Sequence, residues 1–256
     1  MARAALEFHA LAHVPEVAAG ADLAALVATA LEQAALELRV DDVVVVAQKI
    51  VSKAEGRWRR LADVVPTAEA QSVAARCGKD ARLVALVLQE SSAVVRAAPN
   101  VLITRHRLGY VMANAGIDHS NSGSGPHGET VLLLPEDPDA SARRLRSALL
   151  ERVGIAPGVI VSDSFGRPWR LGTVNVALGT AGLPALVDLR GAPDRDGRTL
   201  QMTQVAVADA LAAGAGLAMG EATEGTPIVL VRGYAVTSAC NDGQALIRSV
   251  DEDLFR

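Results

Sequence analysis

Apolar and polar positions along the chain change period several times, and each change predicts an element. A short strand at the N-terminus is followed by Val14-Pro15-Glu16-Val17 and a loop closed by Gly20. Leu23, Leu26, Val27, Ala30, Leu31 and Ala34 then recur at helical spacing, behind an Asp22 suited to cap the helix. Asp41-Asp42 leads into Val43-Val44-Val45-Val46, a β-branched run that reads as a strand buried on both faces. A basic and polar stretch, Gln48-Lys49-Ile50-Val51-Ser52-Lys53, follows directly.

Residues 66–96 read as mainly helical, and strands are expected at 100–104 and 109–113. The polar run Ser120-Asn121-Ser122-Gly123-Ser124-Gly125-Pro126-His127-Gly128 reads as a loop. Thr130–Leu134 is a further strand, and Asp137-Pro138-Asp139 has the residues of a helix start. Gly158–Ser162 is a strand that runs into Asp163-Ser164-Phe165-Gly166-Arg167-Pro168-Trp169-Arg170. Thr203 is placed to cap a helix reaching about Ala213, and Ile228–Arg232 is a last strand. Strands and helices mix without strict alternation and without repeats or linkers. The expected class is therefore α+β, with mixed sheets and packed helices, rather than a doubly wound sheet.

Length and composition narrow the function classes. A chain of 256 residues can form one large domain or two closely joined subdomains, and its core must be built from Ala, Val and Leu because aromatics are only 3%. No apolar run approaches the ~20 residues of a membrane helix, and Glu7 and His9 interrupt the start where a signal peptide would be apolar. A net charge of -4 gives no basic face for nucleic acid. Cys77 and Cys240 lack partner spacing and read as free thiols in a reducing cytoplasm.

Candidate chemistry sits in three places. Asp163-Ser164, at the end of an apolar strand, offers hard oxygen donors for Mg²⁺ or Mn²⁺, with Arg167 and Arg170 near in sequence for phosphate or carboxylate; a turn aspartate with solvated arginines is the plain alternative. Asn114, Asp118, Ser120 and Asn121 crowd side-chain oxygens beside a Gly-rich stretch, although any turn uses such residues. Lys49 and Lys53 could reach phosphates or form a solvated basic edge with Glu55 and Arg57. His106, His119 and His127 are not spaced as zinc ligands on one helix. A P-loop and a Gly-x-Ser-x-Gly elbow are both missing.

Taken in order, several segments resemble the coenzyme F420:L-glutamate ligase family over nearly the whole length. They are Val14-Pro15-Glu16, Ala47–Gly56, Ala113-Asn114-Ala115-Gly116-Ile117-Asp118, Leu134–Ser141, Asp163–Arg170, Ala206-Val207-Ala208-Asp209 and Val231-Arg232-Gly233. The resemblance implies an interwoven cytoplasmic homodimer that uses GTP with Mg²⁺ or Mn²⁺, two ions, and K⁺ as a further cation. The implied substrates are L-glutamate and the coenzyme F420 precursor, joined through an acyl phosphate. Position by position, it makes Asp118 and Asp163 metal ligands, and Ser164 and Glu221 donors to a second metal. It makes Val14, Pro15, Glu16, Val17, Gln48, Lys53, Asn121, Met219, Gly220, Glu221, Ala222, Thr223, Glu224, Gly225 and Thr226 GTP contacts.

Three positions depart from the family pattern: Glu221 where Gln or Lys is frequent, Leu171-Gly172-Thr173 in place of a more polar run, and Ala210 where an acid is common. These leave open a paralogous GTP- and metal-dependent ligase that acts on another carboxylate.

Overall fold

The structure, a computed structural model, describes residues 5–118 and 129–253. In chain order they form β1 (Glu7–Ala10), α1 (Leu23–Gln33), β2 (Val43–Ala47), α2 (Gln48–Ala54), β3 (Trp58–Arg60), α3 (Ala68–Cys77), α4 (Ala81–Gln89), β4 (Ser91–Ala98) and β5 (Val101–His106). The second half contributes β6 (Val111–Ala113), β7 (Thr130–Leu132), α5 (Pro138–Val153), β8 (Gly158–Arg167), β9 (Arg170–Ala181), β10 (Leu186–Asp188), β11 (Gln204–Ala206), α6 (Val207–Met219) and β12 (Ile228–Arg232). Helices and several separate sheets mix without strict alternation, which is the expected α+β class. The described chain divides into two units: one runs to Val51 and adds Glu136–Phe165 and the chain from Thr173, and the other is Ser52–Pro135 with Gly166–Gly172.

The first unit is built on a five-stranded sheet of order β1-β12-β2-β8-β9. β2 lies at its centre, antiparallel to β12 and parallel to β8. Val43 to Val46 are each at most 1% exposed, so both faces of this strand are covered, as its unbroken β-branched run requires. Val43 and Val45 pack under α6 with Ile160, Val229 and Val231. α1 is capped by Asp22, whose Oδ1 accepts the Ala25 N–H at 2.9 Å. It buries Ala24, Val27, Ala30 and Leu31, while Ala34 is exposed as the C-cap. Asp137 caps α5 in the same way, at the expected place.

Two acids hold β9, the edge strand. Asp139 Oδ1 accepts N–H groups from Thr180 at 2.8 Å and Gly243 at 2.7 Å, and Asp209 Oδ1 accepts the Ala177 N–H at 2.9 Å. Burial pushes both carboxyls above their usual range. On the other side of the sheet's centre, Arg232 grips buried Asp42 through two hydrogen bonds, of 2.9 and 2.7 Å. The expected helix from Thr203 differs: Gln204–Ala206 is a strand paired with β10, and α6 begins only at Val207, without a side-chain cap. β-branched Val205 suits a strand, and Thr203 lies too far upstream to reach the helix's first N–H groups.

The second unit packs α3 and α4 against the sheet β4-β5-β6, with β3 and β7 paired separately. The expected helix over 66–96 is three elements. α3 ends at Gly78 in a left-handed C-cap, α4 restarts behind Asp80, and residues 91–98 form β4. Helical spacing ends at Glu90, and the pairing of β4 with β5 decides the remainder.

Glu90 gathers charge in this unit. His106 Nε2 lies 3.4 Å from its Oε2, Arg57 reaches both carboxyl oxygens at 3.3 Å, and Arg107 Nε donates at 3.2 Å. Arg57 Nε also donates to the Leu134 carbonyl at 2.8 Å. His106 Nδ1 accepts the Leu108 N–H at 3.0 Å, which leaves its proton on the nitrogen facing Glu90. His106, then Arg57 and Arg107, hold the Glu90 carboxyl down at about 2. The imidazole contact is long and not aligned as a hydrogen bond, so we assign the larger part to the two guanidiniums.

A depressed carboxyl supplies stability above its unfolded pKa and loses it as acid protonates the folded state. Unfolding free energy is therefore expected to fall by about 3 kcal/mol as the pH drops from about 5 to about 2. Chemical denaturation at a series of pH values checks this, and Glu90→Gln should flatten that part of the profile.

Candidate active site

Strand directions bring four distant segments to one edge of the five-stranded sheet. β2 and β8 are parallel, so their C-terminal ends lie together: Ala47 is the register partner of Ser162, and Gln48 and Asp163 follow. β12 is antiparallel to β2 and so starts at this edge, where the Pro227 carbonyl accepts the Ala47 N–H at 2.8 Å. β1 is antiparallel to β12 and so ends here, where Leu11 N–H donates to the Ile228 carbonyl at 2.9 Å. The segment Val14–Val17, the loop Met219–Thr226, Gln48 and Asp163-Ser164 thus all leave or enter the sheet at the same side. Gln48 and Val17 are buried, Val14 is partly buried, and Pro15 and Glu16 are exposed.

Asp163 is not at a strand end, as expected from sequence, but inside β8. The strand continues to Arg167 because β9 follows it through a two-residue connection, whereas β2 stops pairing at Ser162. Asp163 is therefore the first residue of β8 beyond β2, and it is half-buried rather than part of a turn. Its Oδ1 accepts the Ser164 N–H at 2.9 Å. Successive strand residues point to opposite faces. Ser164 shares the face of Ser162 and Ile160, towards α6, and Asp163 points the other way. At the hairpin tip, Arg167 Nη2 donates to the Leu171 carbonyl at 3.1 Å; Trp169, Arg170 and Leu171 are exposed.

The stretch Gln48–Ala54 is a helix, and the solvated basic edge allowed by the sequence fails for Lys53. That side chain is 8% exposed, with Nζ 5.9 Å from the centroid of the Trp58 ring. Helical spacing buries Gln48 and Ser52, four apart, on one side. Asp118 belongs to the second unit, bridged to Leu132 through N–H···O bonds of 2.9 Å in both directions. The turn before it is strained: Asn114, Ala115 and Gly116 all have positive φ, at 51, 52 and 69°. A Cβ at Gly116 would stand 2.8 Å from Met112 and 2.9 Å from Leu134. Such strain costs about 1–3 kcal/mol per non-glycine residue and collects at functional sites. Asn121, with His119, Ser120 and the Gly-rich stretch, lies outside the described residues.

The loop Met219–Thr226 is folded on itself. Met219 is buried at the end of α6, Thr226 Oγ1 donates to its carbonyl at 2.8 Å, and Glu224 Oε2 accepts the Ala222 N–H at 2.8 Å. Backbone N–H groups, its own first, lower the Glu224 carboxyl below its usual range. Glu221, Ala222 and Thr223 are left exposed.

Asp118, Asp163, Ser164 and Glu221 supply hard oxygen donors, which suit Mg²⁺ or Mn²⁺ better than zinc. Among the described residues no three His, Cys, Asp or Glu side chains form a group able to hold a metal. Cys77 is buried and Cys240 exposed, both free. No described helix is long and apolar enough to cross a membrane.

Against known proteins, residues 12–233 match the family model described as F420-0:Gamma-glutamyl ligase. The chain belongs to this family. It is 45% identical over 245 residues to the coenzyme F420:L-glutamate ligase of Methanopyrus kandleri, covering 94% of each chain. The Methanothermobacter thermautotrophicus enzyme of that name is 44% identical, covering 95% of this chain and 96% of its own. That of Halobacterium salinarum is 46% identical, covering 95% and 92%. Membership in the γ-glutamyl ligase family makes the chain an amide-forming ligase.

The sequence carries no sign of what Ser162, Asn175, Asp42 and the Glu90 cluster meet in the fold; it shows Asp139 only within a helix start and a family segment, and Asp209 only within a family segment. No periodic signal marks a residue whose partner is a backbone N–H far along the chain.

The Met219–Thr226 loop gives a direct test. A Cβ at Gly220, where φ is 74°, would stand 2.2 Å from the Glu224 carboxyl carbon. Gly220→Ala is expected to release that carboxylate and destabilise the loop by about 1–2 kcal/mol. Hydrogen exchange over 221–226 should speed up accordingly; unchanged exchange would contradict the packing described.

Proposed function

We propose that this ligase uses GTP to add L-glutamate to the coenzyme F420 precursor, first by an amide and then by a γ-glutamyl bond. The γ-phosphoryl group of GTP passes to the lactyl carboxylate of the precursor, giving an acyl phosphate and GDP. The glutamate amine then attacks the acyl carbon, the amide forms, and inorganic phosphate leaves. In a second round the γ-carboxylate of the first glutamate is the one activated. The observation that carries this reading is the single sheet edge at which Val14–Val17, Gln48, Asp163-Ser164 and Met219–Thr226 come together. The relatives' name supports the acceptor and the amino acid.

In this reading Asp118 and Asp163 would be ligands for Mg²⁺ or Mn²⁺, Ser164 and Glu221 would be donors to a second ion, and K⁺ would be a further cation. When bound, these ions neutralise phosphate charge and fix its geometry, which is most of what phosphoryl transfer needs. The opposite orientation of Asp163 and Ser164 suits donors to two ions rather than one. Lys53, buried on α2, supplies a fixed positive charge for the phosphates. Val14–Val17, Gln48, Asn121 and Met219–Thr226 contact the nucleotide, and the working form is a cytoplasmic homodimer.

Incubation with GTP, Mn²⁺, L-glutamate and the glutamate-free precursor should give a glutamylated product with stoichiometric GDP and phosphate. A paralogue acting on another carboxylate would bind GTP and leave the precursor unchanged; that reading is kept open by Leu171, a family departure that is 99% exposed. A non-catalytic nucleotide-binding protein would leave GTP intact. Asp118→Asn and Asp163→Asn are each expected to cut kcat by about a thousandfold, roughly 4 kcal/mol of transition-state stabilisation, with an unchanged circular dichroism spectrum. Near-full turnover in either variant would remove that aspartate from the site.

A further inference from the structure

The face of the first unit's sheet that packs on α6 is apolar except at the end nearest the candidate site. Side chains two apart on a strand share a face, so Ser162 faces the same way as Ile160, and Asn175 the same way as Ala177. Ile160 and Ala177 both pack in the α6 cluster. Ser162 is 1% exposed and Asn175 7%. Among the described residues the buried Ser162 hydroxyl has no hydrogen-bond partner, and the Asn175 amide makes no side-chain hydrogen bond. The two stand on neighbouring strands, β8 and β9.

The Asn175 amide packs against the bare backbone of α6 at Gly216. Asn175 Nδ2 lies 2.0 Å from where a Cβ on Gly216 would stand, so α6 carries no side chain where the amide enters. Ala47, the register partner of Ser162, adds only a methyl group. An unmet buried polar group costs about 1–3 kcal/mol, and native proteins keep such groups where something other than the chain meets them. Ser162 is adjacent to Asp163 in β8 and shares a face with Ser164.

We propose that Ser162 and Asn175 form the subsite for the amino group of the incoming amino acid, a site that rests on the ligase reading above. The nucleophile must arrive as a neutral amine, with its lone pair free for the acyl carbon. A serine oxygen and an amide oxygen accept its N–H bonds without carrying charge. A carboxylate in their place would favour the ammonium form and raise its pKa. A polar pair without charge, beside the metal donors but on the α6 face, holds the amine without keeping it protonated.

Steady-state kinetics with GTP, L-glutamate and the coenzyme precursor varied in turn test this. Asn175→Ala is expected to raise the KM for glutamate about tenfold, the worth of one hydrogen bond, and to leave the KM for GTP within about twofold. Asn175→Asp should move the rise of rate with pH to higher pH, because the new carboxylate retains the ammonium proton. Ser162→Ala should melt at or above the wild-type temperature, since no partner in the chain is lost and an unmet hydroxyl is removed, and still show a raised KM for glutamate. An unchanged glutamate KM in both alanine variants would overturn the subsite and leave only a buried water there. An equal rise in the KM for GTP would overturn it in favour of a nucleotide contact.

Wild-type protein that fails to glutamylate the precursor would count against the ligase reading instead. The subsite would then stand or fall on calorimetric titration of L-glutamate with GDP and Mn²⁺ present. Binding by the wild type that Asn175→Ala abolishes supports it, and no binding by the wild type overturns it.

Discussion

The parallel pairing of β2 with β8 is the constraint on which the candidate site depends. Its register runs from Val43↔Gly158 to Ala47↔Ser162, and Val43–Val46 and Val159–Val161 are almost wholly buried. Valines cover both faces of β2, so alternation does not choose the register; the buried polar residues at its two ends, Asp42 and Gln48, mark where the pairing must begin and stop. Because the strands are parallel, their polar continuations emerge together. Gln48 turns at once into α2, while Asp163 runs on in a hairpin that β2 no longer accompanies. A valine-rich core thus fixes the position of a glutamine and an aspartate more than a hundred residues apart in sequence.

The same sheet needs a closed edge, and acids provide it. β9 is the last strand of the sheet, and Asp139 and Asp209 accept its N–H groups at Thr180 and Ala177. An edge strand covered by carboxylates from α5 and α6 is protected from pairing with another chain. Burial raises both carboxyls, so their desolvation opposes the hydrogen bonds they make, and the net gain is smaller than the bonds alone suggest. Both acids lie in segments that carry the family resemblance, as does Arg232, which grips Asp42. In these segments the charged residues build the scaffold, so membership in a family motif does not by itself mark a residue as chemical.

Periodicity made the central strands, α1 and α5 legible, because buried valines and Asp caps act within a few residues of themselves. It failed where a distant partner decides. Residues 91–96, expected as the end of a helix, pair with β5 instead, and Val205 joins β10 ahead of α6. For the site, the resemblance placed Asp118 and Asp163, and local sequence alone left each a turn residue. The αL run Asn114-Ala115-Gly116 and the burial of Lys53 were hidden, since φ angles and exposure belong to the packed chain. Ser162 and Asn175 were hidden more deeply, because a lone Ser or Asn in a strand gives no signal until its lack of a partner is seen.

The alternation of a single strand separates the chemistry. Along β8, Val161 and Asp163 face one way, and Ile160, Ser162 and Ser164 the other. Whatever Asp163 binds lies on the side away from α6, and whatever Ser162 and Ser164 bind lies towards it. The strand backbone therefore stands between two sets of polar groups. In the reaction proposed above, phosphoryl transfer and the later attack of the amine must lie close but not superimposed. A strand that has left its partner β2, with donors alternating on its two faces, meets both requirements within three consecutive residues.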